Sequence, residues 1–241
     1  MERIDEMSVP LPIETMIDDL YVVTIIPTRG VPKKVGNLTL VETTLDYAFA
    51  SRYVNDVFVA TDNVETAQFA REKGAKVPGL RPTYLSQDFI NIADVLKWAI
   101  NEVEEIGKIP DLVVVLEETQ PFRPKELVDE MIVRVVNEGL DGLISAKEEP
   151  RRIWEKSSDH LHPVTDRFIP RQFAETSTYI GLLGLAFVVR PSVLREGNIL
   201  GPNMAFYEVA TPLCGIEVRD DESLTMVAPL LELMKEGNLR C

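Results

Sequence analysis

Tyr21-Val-Val-Thr-Ile-Ile26 is a nearly unbroken β-branched run that stops at Pro27. Apolarity that is continuous rather than alternating marks a strand buried on both faces, as in a parallel sheet covered by helices. The pattern returns at Asp56–Ala60, Asp111–Leu116, Asp141–Ala146, Leu182–Val189 and Cys214–Val218. Helical segments are predicted between these runs, over Val41–Arg52 and Val64–Lys73. Ile92, Val95, Leu96, Ala99, Ile100, Val103 and Ile106 fall at i, i+3, i+4 spacing, which gives a third helix one core-facing stripe. Leu127, Met131, Ile132 and Val135 mark a fourth. Strands alternating with helices imply right-handed crossovers and an α/β, doubly wound, mainly parallel sheet flanked by helices. Gly74 follows the second helix, where a left-handed cap is expected.

With 241 residues the chain can form one sizeable core and a small appendage. Residues 1–20 read as an N-terminal extension with a helix ending near Asp18-Asp19, and residues 21–241 as one domain. Within it, residues 148–180 break the rhythm: the stretch is charged, holds Pro150, Pro163 and Pro170, and has no period. It is expected to be an irregular arm, and it carries Trp154, Phe168, Ile169 and Phe173, which need cover. A homodimer is expected on that ground.

The formal net charge of −14 repels phosphate backbones and speaks against a general nucleic-acid binder. A nucleotide would need a locally basic pocket. Cys214 and Cys241 fit no metal motif and supply no disulfide framework, which suits a reducing compartment such as the cytoplasm. No apolar run is long enough to span a bilayer, and the N-terminus lacks the basic start and apolar core of a signal peptide.

Ligands of open α/β sheets bind beyond the carboxyl ends of the strands, so the residues just after each strand are the candidates. After the first run, Pro27-Thr-Arg-Gly-Val-Pro-Lys-Lys34 offers three cations and a glycine, which suits a triphosphate, although taken alone the loop reads first as a solvated basic turn. After the second comes Thr61-Asp62-Asn63, with Asn63 as helix cap and Asp62 free to hold a ribose hydroxyl or a metal. Arg81 precedes Pro82 in an extended segment, and Ser86 or Asp88 is expected to cap the third helix. Glu117-Glu-Thr-Gln-Pro-Phe-Arg123 follows the third run, with Arg123 read as a structural partner of the glutamates. His160 and His162 alternate about Leu161 without a third ligand nearby, too few for a metal site.

Taken in order, Ile-Pro-Thr-Arg-Gly, Val-Ala-Thr-Asp, Leu-Arg-Pro-x-x-Leu, Leu-Glu-Glu-Thr-Gln-Pro-Phe-Arg and Arg171-Gln172 resemble the acylneuraminate cytidylyltransferases, from about Tyr21 to Leu231. The resemblance implies a nucleotide-diphospho-sugar transferase-like fold. It also implies transfer of CMP from CTP to a sugar acid, with release of pyrophosphate and use of Mg²⁺. Carried over residue by residue, Arg29, Gly30 and Lys34 would hold the triphosphate, with Arg29 and Lys34 catalytic. Asp62, Arg81, Glu117 and Thr119 would border the nucleotide, and Arg171 and Gln172 would face the sugar acid. Glu217 would bind the metal, with Asp62 or Asp220 as further oxygen donors. The chain also departs from the family pattern. The loop after Gly30 is several residues shorter and lacks Gly-Ser-Lys, the family Gln is Glu117, and Asn-Gly-Ala appears as Leu183-Gly184-Leu185. The metal-holding Asp-x-Asp appears as Glu217-Val218-Arg219. These departures keep two alternatives open: a non-catalytic nucleotide- or sugar-binding relative, and a transferase using another nucleotide.

Overall fold

A computed structural model of the chain describes residues 17–36, 38–164 and 177–241. β1 (Val22–Pro27) is buried at every residue. A two-residue ladder follows, β2 (Lys34–Val35) with β3 (Leu38–Thr39), and leads into α1 (Leu40–Phe49), where Thr39 caps by accepting from the Glu42 N–H at 3.1 Å. Next come β4 (Asp56–Ala60), α2 (Val64–Glu72), α3 (Ile92–Glu105), β5 (Leu112–Val115), α4 (Leu127–Glu138) and β6 (Gly142–Glu148). A hairpin, β7 (Trp154–Ser157) and β8 (His160–Pro163), precedes β9 (Tyr179–Gly181) and β10 (Phe187–Val189). The chain then forms α5 (Pro191–Arg195), β11 (Met204–Glu208) and α6 (Asp221–Lys235).

The main sheet runs in the order β11-β6-β10-β5-β1-β4, with β9 on β6. β1 lies parallel to both β4 and β5, and β11 parallel to β6, while β10 is antiparallel to its two neighbours. Side chains alternate between faces, so β1 feeds two cores. Val22 and Ile26 join the cluster under α1, α2 and α4, and Val23 and Ile25 join the one under α3 and α5. At about 1.5–3 kcal/mol for each large apolar side chain withdrawn from water, this double coverage is the main stabilising term. A third cluster, with Val35, Leu40, Phe122 and Val218, seats α6 beside the sheet.

The α/β, mainly parallel sheet and its four predicted helices are observed, and Gly74 adopts φ +92° as the cap after α2. Four details differ. Only residues 187–189 of the run Leu182–Val189 form a strand; residues 182–186 turn across the ends of β5 and β6. Cys214–Val218 is not a strand either, because a 3₁₀ turn at Pro212–Gly215 breaks it, and the sixth place in the main order goes to β11. Helix α3 is capped by Asn91, not by Ser86 or Asp88, whose side chains bond elsewhere. Helix α6 has no counterpart in the sequence reading, since Pro229 interrupts its pattern. The hairpin β7–β8 occupies part of the 148–180 stretch, and all its residues are exposed. His160 and His162 stack on it with ring centroids 6.5 Å apart. The expected N-terminal helix lies outside the described residues except for Ile17 and Asp18, which are helical.

Candidate active site

Because β1, β4 and β5 run the same way, their carboxyl ends open side by side. A cavity of about 510 Å³ lies there, lined from β1 by Thr28 and Arg29, from β5 by Glu117, Glu118 and Thr119, and from the turn before α6 by Glu217 and Arg219. Lys33, Arg81 and the segment from Leu85 to Val95 complete the wall.

The floor is tied across strands. Thr28 Oγ1 donates to Glu118 Oε1 at 2.5 Å, while Glu118 Oε2 is buried without a hydrogen-bond partner. Burial holds the Glu118 carboxyl above the usual carboxylate range, against the pull of Thr28 and of the Lys33 charge. Thr119 Oγ1 is likewise buried and unpartnered. Arg81, 7% exposed, donates from Nη2 to the Thr28 carbonyl at 3.1 Å and from Nε to Ser86 Oγ at 3.2 Å. Burial lowers its pKa, with Asp62 opposing and Arg29 reinforcing the shift.

Arg123 is fully enclosed and acts on backbone rather than on carboxylates. Its Nε donates to the Leu185 carbonyl at 2.6 Å, and Nη2 donates to the carbonyls of Glu117 at 2.6 Å and Gly184 at 2.9 Å. Burial depresses the guanidinium to about 10. The Glu117 N–H in turn donates to the Gly184 carbonyl at 2.8 Å. A Cβ on Gly184 would lie 2.7 Å from Gln120 Oε1 and 3.0 Å from Glu117 Cβ, so only glycine lets the turn approach this closely. Burial raises the Glu117 carboxyl, the Glu217 charge raises it further, and Arg123 and Arg219 oppose.

The cations at the mouth are held by carboxylates. Arg29 Nη2 lies 2.7 Å from Asp88 Oδ1, and Arg219 Nη2 lies 2.9 Å from Glu217 Oε2. Both pairs are largely solvent-exposed and so contribute about 0–1 kcal/mol each. The Lys33 charge favours the ionised form of both Glu118 and Asp220.

Of the sequence-predicted residues, Arg29, Arg81, Glu117, Thr119 and Glu217 come together on this cavity. Three others stand behind or beside it. Asp62 Oδ1 accepts from the Gly30 N–H at 2.9 Å, which pins the loop where Gly30 takes φ +73°. Lys34 pairs with Thr39 in the β2–β3 ladder, and its neighbour Lys33 faces the cavity instead. Arg171 and Gln172 lie outside the described residues. Asn63 caps α2 as expected, accepting from the Thr66 N–H at 3.0 Å. The sequence reading missed Lys33, the Thr28–Glu118 tie and the wall from Leu85 to Val95. One signal for Lys33 was present: buried Val35 sets a two-residue alternation that turns Lys33 inward and Lys34 outward.

The donor set does not fit a protein-held Mg²⁺. Such an ion takes oxygen ligands. Here Glu217 is engaged by Arg219, Asp220 caps α6 through the Ser223 N–H at 2.7 Å, and Asp62 is taken by Gly30. Among the described residues no group of three or more His, Cys, Asp or Glu side chains could hold a metal ion. No helix there is long and apolar enough to cross a membrane.

The fold is α/β, a mainly parallel sheet flanked by helices with a cavity at the carboxyl ends of its strands. Among solved structures, the chain is similar to a CMP:2-keto-3-deoxy-manno-octonic acid synthetase complexed with CTP, with TM-score 0.67 and 16% identity, over 89% of this chain and 99% of that one. It is also similar to 4-diphosphocytidyl-2C-methyl-D-erythritol synthase from Anaerococcus prevotii DSM 20548, with TM-score 0.62 and 12% identity, over 88% of this chain and 99% of that one. In sequence it is similar to the pseudaminic acid cytidylyltransferase of Campylobacter jejuni, 25% identical over 132 residues. That match spans 52% of this chain and 57% of that protein. No protein-family model matches the chain. The resemblance to cytidylyltransferases read from the motifs is thus met again in a sequence comparison, over 52% of this chain.

Proposed function

We propose that the chain is a nucleotidyltransferase that transfers CMP from CTP to a sialic-acid-like sugar acid. The observation that carries this reading is the cavity itself: four cations, Arg29, Lys33, Arg81 and Arg219, converge at the carboxyl ends of β1 and β5 in a chain of net charge −14. The same wall carries Asp88, Glu117, Glu118 and Glu217, so the cavity is locally balanced rather than acidic like the chain as a whole, and its cluster of cations suits a triphosphate. The sugar-acid hydroxyl attacks the α-phosphorus of CTP in line. The new bond is hydroxyl oxygen to phosphorus, and the broken one joins the α-phosphorus to the oxygen that leaves with pyrophosphate. Catalysis is then mainly positioning and charge stabilisation. Arg29 and Lys33 are assigned to the phosphates, Arg81 and Glu117 to the nucleoside, and Arg171 and Gln172 to the carboxylate of the sugar acid. Lys34, Gly30, Asp62 and Thr119 support the loops that carry these groups. Mg²⁺, which the resemblance implies, is not given a step.

The likeness to the pseudaminic acid and 2-keto-3-deoxy-manno-octonic acid enzymes supports the substrate class. The exposed hairpin β7–β8, marginal on its own in water, supports a homodimer in which this stretch is covered by a second copy. Two free thiols suit the cytoplasm. The second reading, a nucleotide-binding relative without turnover, is favoured by the Arg219–Glu217 pair, which occupies the carboxylate expected to hold a metal. Pyrophosphate release measured with CTP and a panel of sugar acids separates the two. Turnover supports the transferase. CTP binding without turnover on any sugar acid supports the second reading, and binding of no nucleotide at all refutes both.

A further inference from the structure

Glu118 lines the cavity just past β5, is 5% exposed, and has no part in the transfer step above. Asp88 and Glu217 on the same wall each hold an arginine, whereas among the described residues Glu118 forms no ion pair. Its Oε1 accepts from Thr28 Oγ1 at 2.5 Å, and its Oε2 is buried with no hydrogen-bond partner. A carboxylate so enclosed, with one neutral donor and no cation in contact, is costly in its charged form. A proton on Oε2 removes the charge and leaves Oε1 free to accept from Thr28. It also turns Oε2 into a donor that lacks an acceptor. The cavity, which Glu118 lines, is where that acceptor can come from.

We propose that Glu118 reads phosphate: in its neutral form it donates from Oε2 to a phosphate oxygen of the bound nucleotide, so that polyphosphate binding is linked to a proton on the protein. For the identity of the ligand this rests on the proposed function. The phosphate end of that ligand is indicated by position, since Glu118 is tied to Thr28, the neighbour of Arg29, and feels the charge of Lys33. Burial raises the Glu118 carboxyl even against Thr28 and Lys33, which agrees with the neutral form. A neutral carboxyl makes a charge-assisted hydrogen bond to an anionic oxygen, whereas an ionised one repels it. Affinity is therefore highest below the pKa of Glu118 in the free protein and falls as pH rises through it.

The test is titration calorimetry of the full chain and of Glu118→Gln with CTP and with inorganic tripolyphosphate, from about pH 5.5 to 9. Gln keeps the shape, accepts from Thr28 at one atom and donates from the other at every pH. Lys33 beside Glu118, and Arg29, Arg81, Glu117, Glu217 and Arg219 on the same wall, are common to both chains, as is the ionisation of the ligand. The ratio of the two dissociation constants therefore isolates Glu118. The native chain should match Glu118→Gln at the acid end and weaken relative to it by up to about tenfold per pH unit above the Glu118 pKa, with both ligands. Thermal denaturation checks that Glu118→Gln is folded. A ratio that does not change with pH, as a purely structural carboxyl would give, or a Glu118→Gln chain weaker than the native at every pH, would overturn the proposal. The expected divergence with tripolyphosphate but no binding of CTP would support the phosphate role and refute the nucleotide reading. Binding of neither ligand overturns both.

Discussion

Gly184→Ala places a methyl group where the structure leaves no room. The new Cβ would stand 2.7 Å from Gln120 Oε1, 3.0 Å from Glu117 Cβ and 3.1 Å from Glu117 Cδ, all inside normal van der Waals contact. The backbone cannot retreat, because the Gly184 carbonyl accepts from both the Glu117 N–H and Arg123, and the Leu185 carbonyl accepts from Arg123 as well. The strain therefore falls on the side chains of Glu117 and Gln120. Overpacking of this kind costs about 1–3 kcal/mol. For a chain of this size each kcal/mol lowers the melting temperature by about 2–4 °C. Thermal denaturation of Gly184→Ala, Gln120→Ala and the double variant measures the effect. The double variant should recover part of the loss, because removing the Gln120 amide vacates the tightest contact. A Gly184→Ala protein with the native melting temperature, or fully additive effects in the double variant, would refute the close-approach reasoning.

Four further outcomes are expected. Glu118 carries a pKa raised by burial, so it binds its proton more tightly when folded than when unfolded. Its contribution is fully present below the ordinary carboxylate value of about 4.3 and is lost as pH rises through the folded value, by about 1.4 kcal/mol for each pH unit between the two values. Chemical denaturation across pH should show this decline in the native chain and a flatter profile in Glu118→Gln. Arg123→Lys, which cannot reproduce the fork to three buried carbonyls, should cost about 2–4 kcal/mol by the same measurement. Lys33→Ala should weaken CTP binding about 10- to 150-fold by calorimetry, while Lys34→Ala leaves it nearly unchanged. Arg219→Asp, at a side chain 77% exposed, should alter stability by less than about 0.5 kcal/mol yet raise Mg²⁺-dependent CTP binding, because it frees Glu217 and adds a second carboxylate.

The sheet was legible because β1, β4 and β5 are buried on both faces, and double burial writes itself as unbroken apolarity. Strand β11 was not, because it carries the mixed pattern Met-Ala-Phe-Tyr-Glu of an edge strand with partial exposure. Cys214–Val218 misled for the opposite reason: Cys214 and Val218 are buried by packing around a turn, and apolarity does not distinguish that from a strand. In the site, the rule of reading the residues after each strand found Arg29, Asp62 and Glu117. It could not find Gly184, since β10 runs antiparallel and brings the residues before it to the cavity end. Lys34 was preferred to Lys33 on the family resemblance alone, whereas Lys33 lines the cavity and Lys34 pairs with Thr39 in the β2–β3 ladder. Asp62 was recognised as a loop residue of the site, but its bond to the Gly30 N–H is a matter of three-dimensional closure that no local pattern encodes.

The pairing of Arg29 with Asp88 and of Arg219 with Glu217 makes ligand capture an exchange of counter-ions. An incoming anion must displace carboxylates that already satisfy the two arginines. A singly charged anion gains little by replacing one carboxylate with another of equal charge. A polyphosphate that reached both arginines would offer more negative charge at each, so under the proposed function the cavity would discriminate by charge density before any base or sugar is read. Because one anion leaves as another arrives, added salt screens both sides of the exchange. Affinity should therefore vary less with ionic strength than it would at a site whose cations face bulk water.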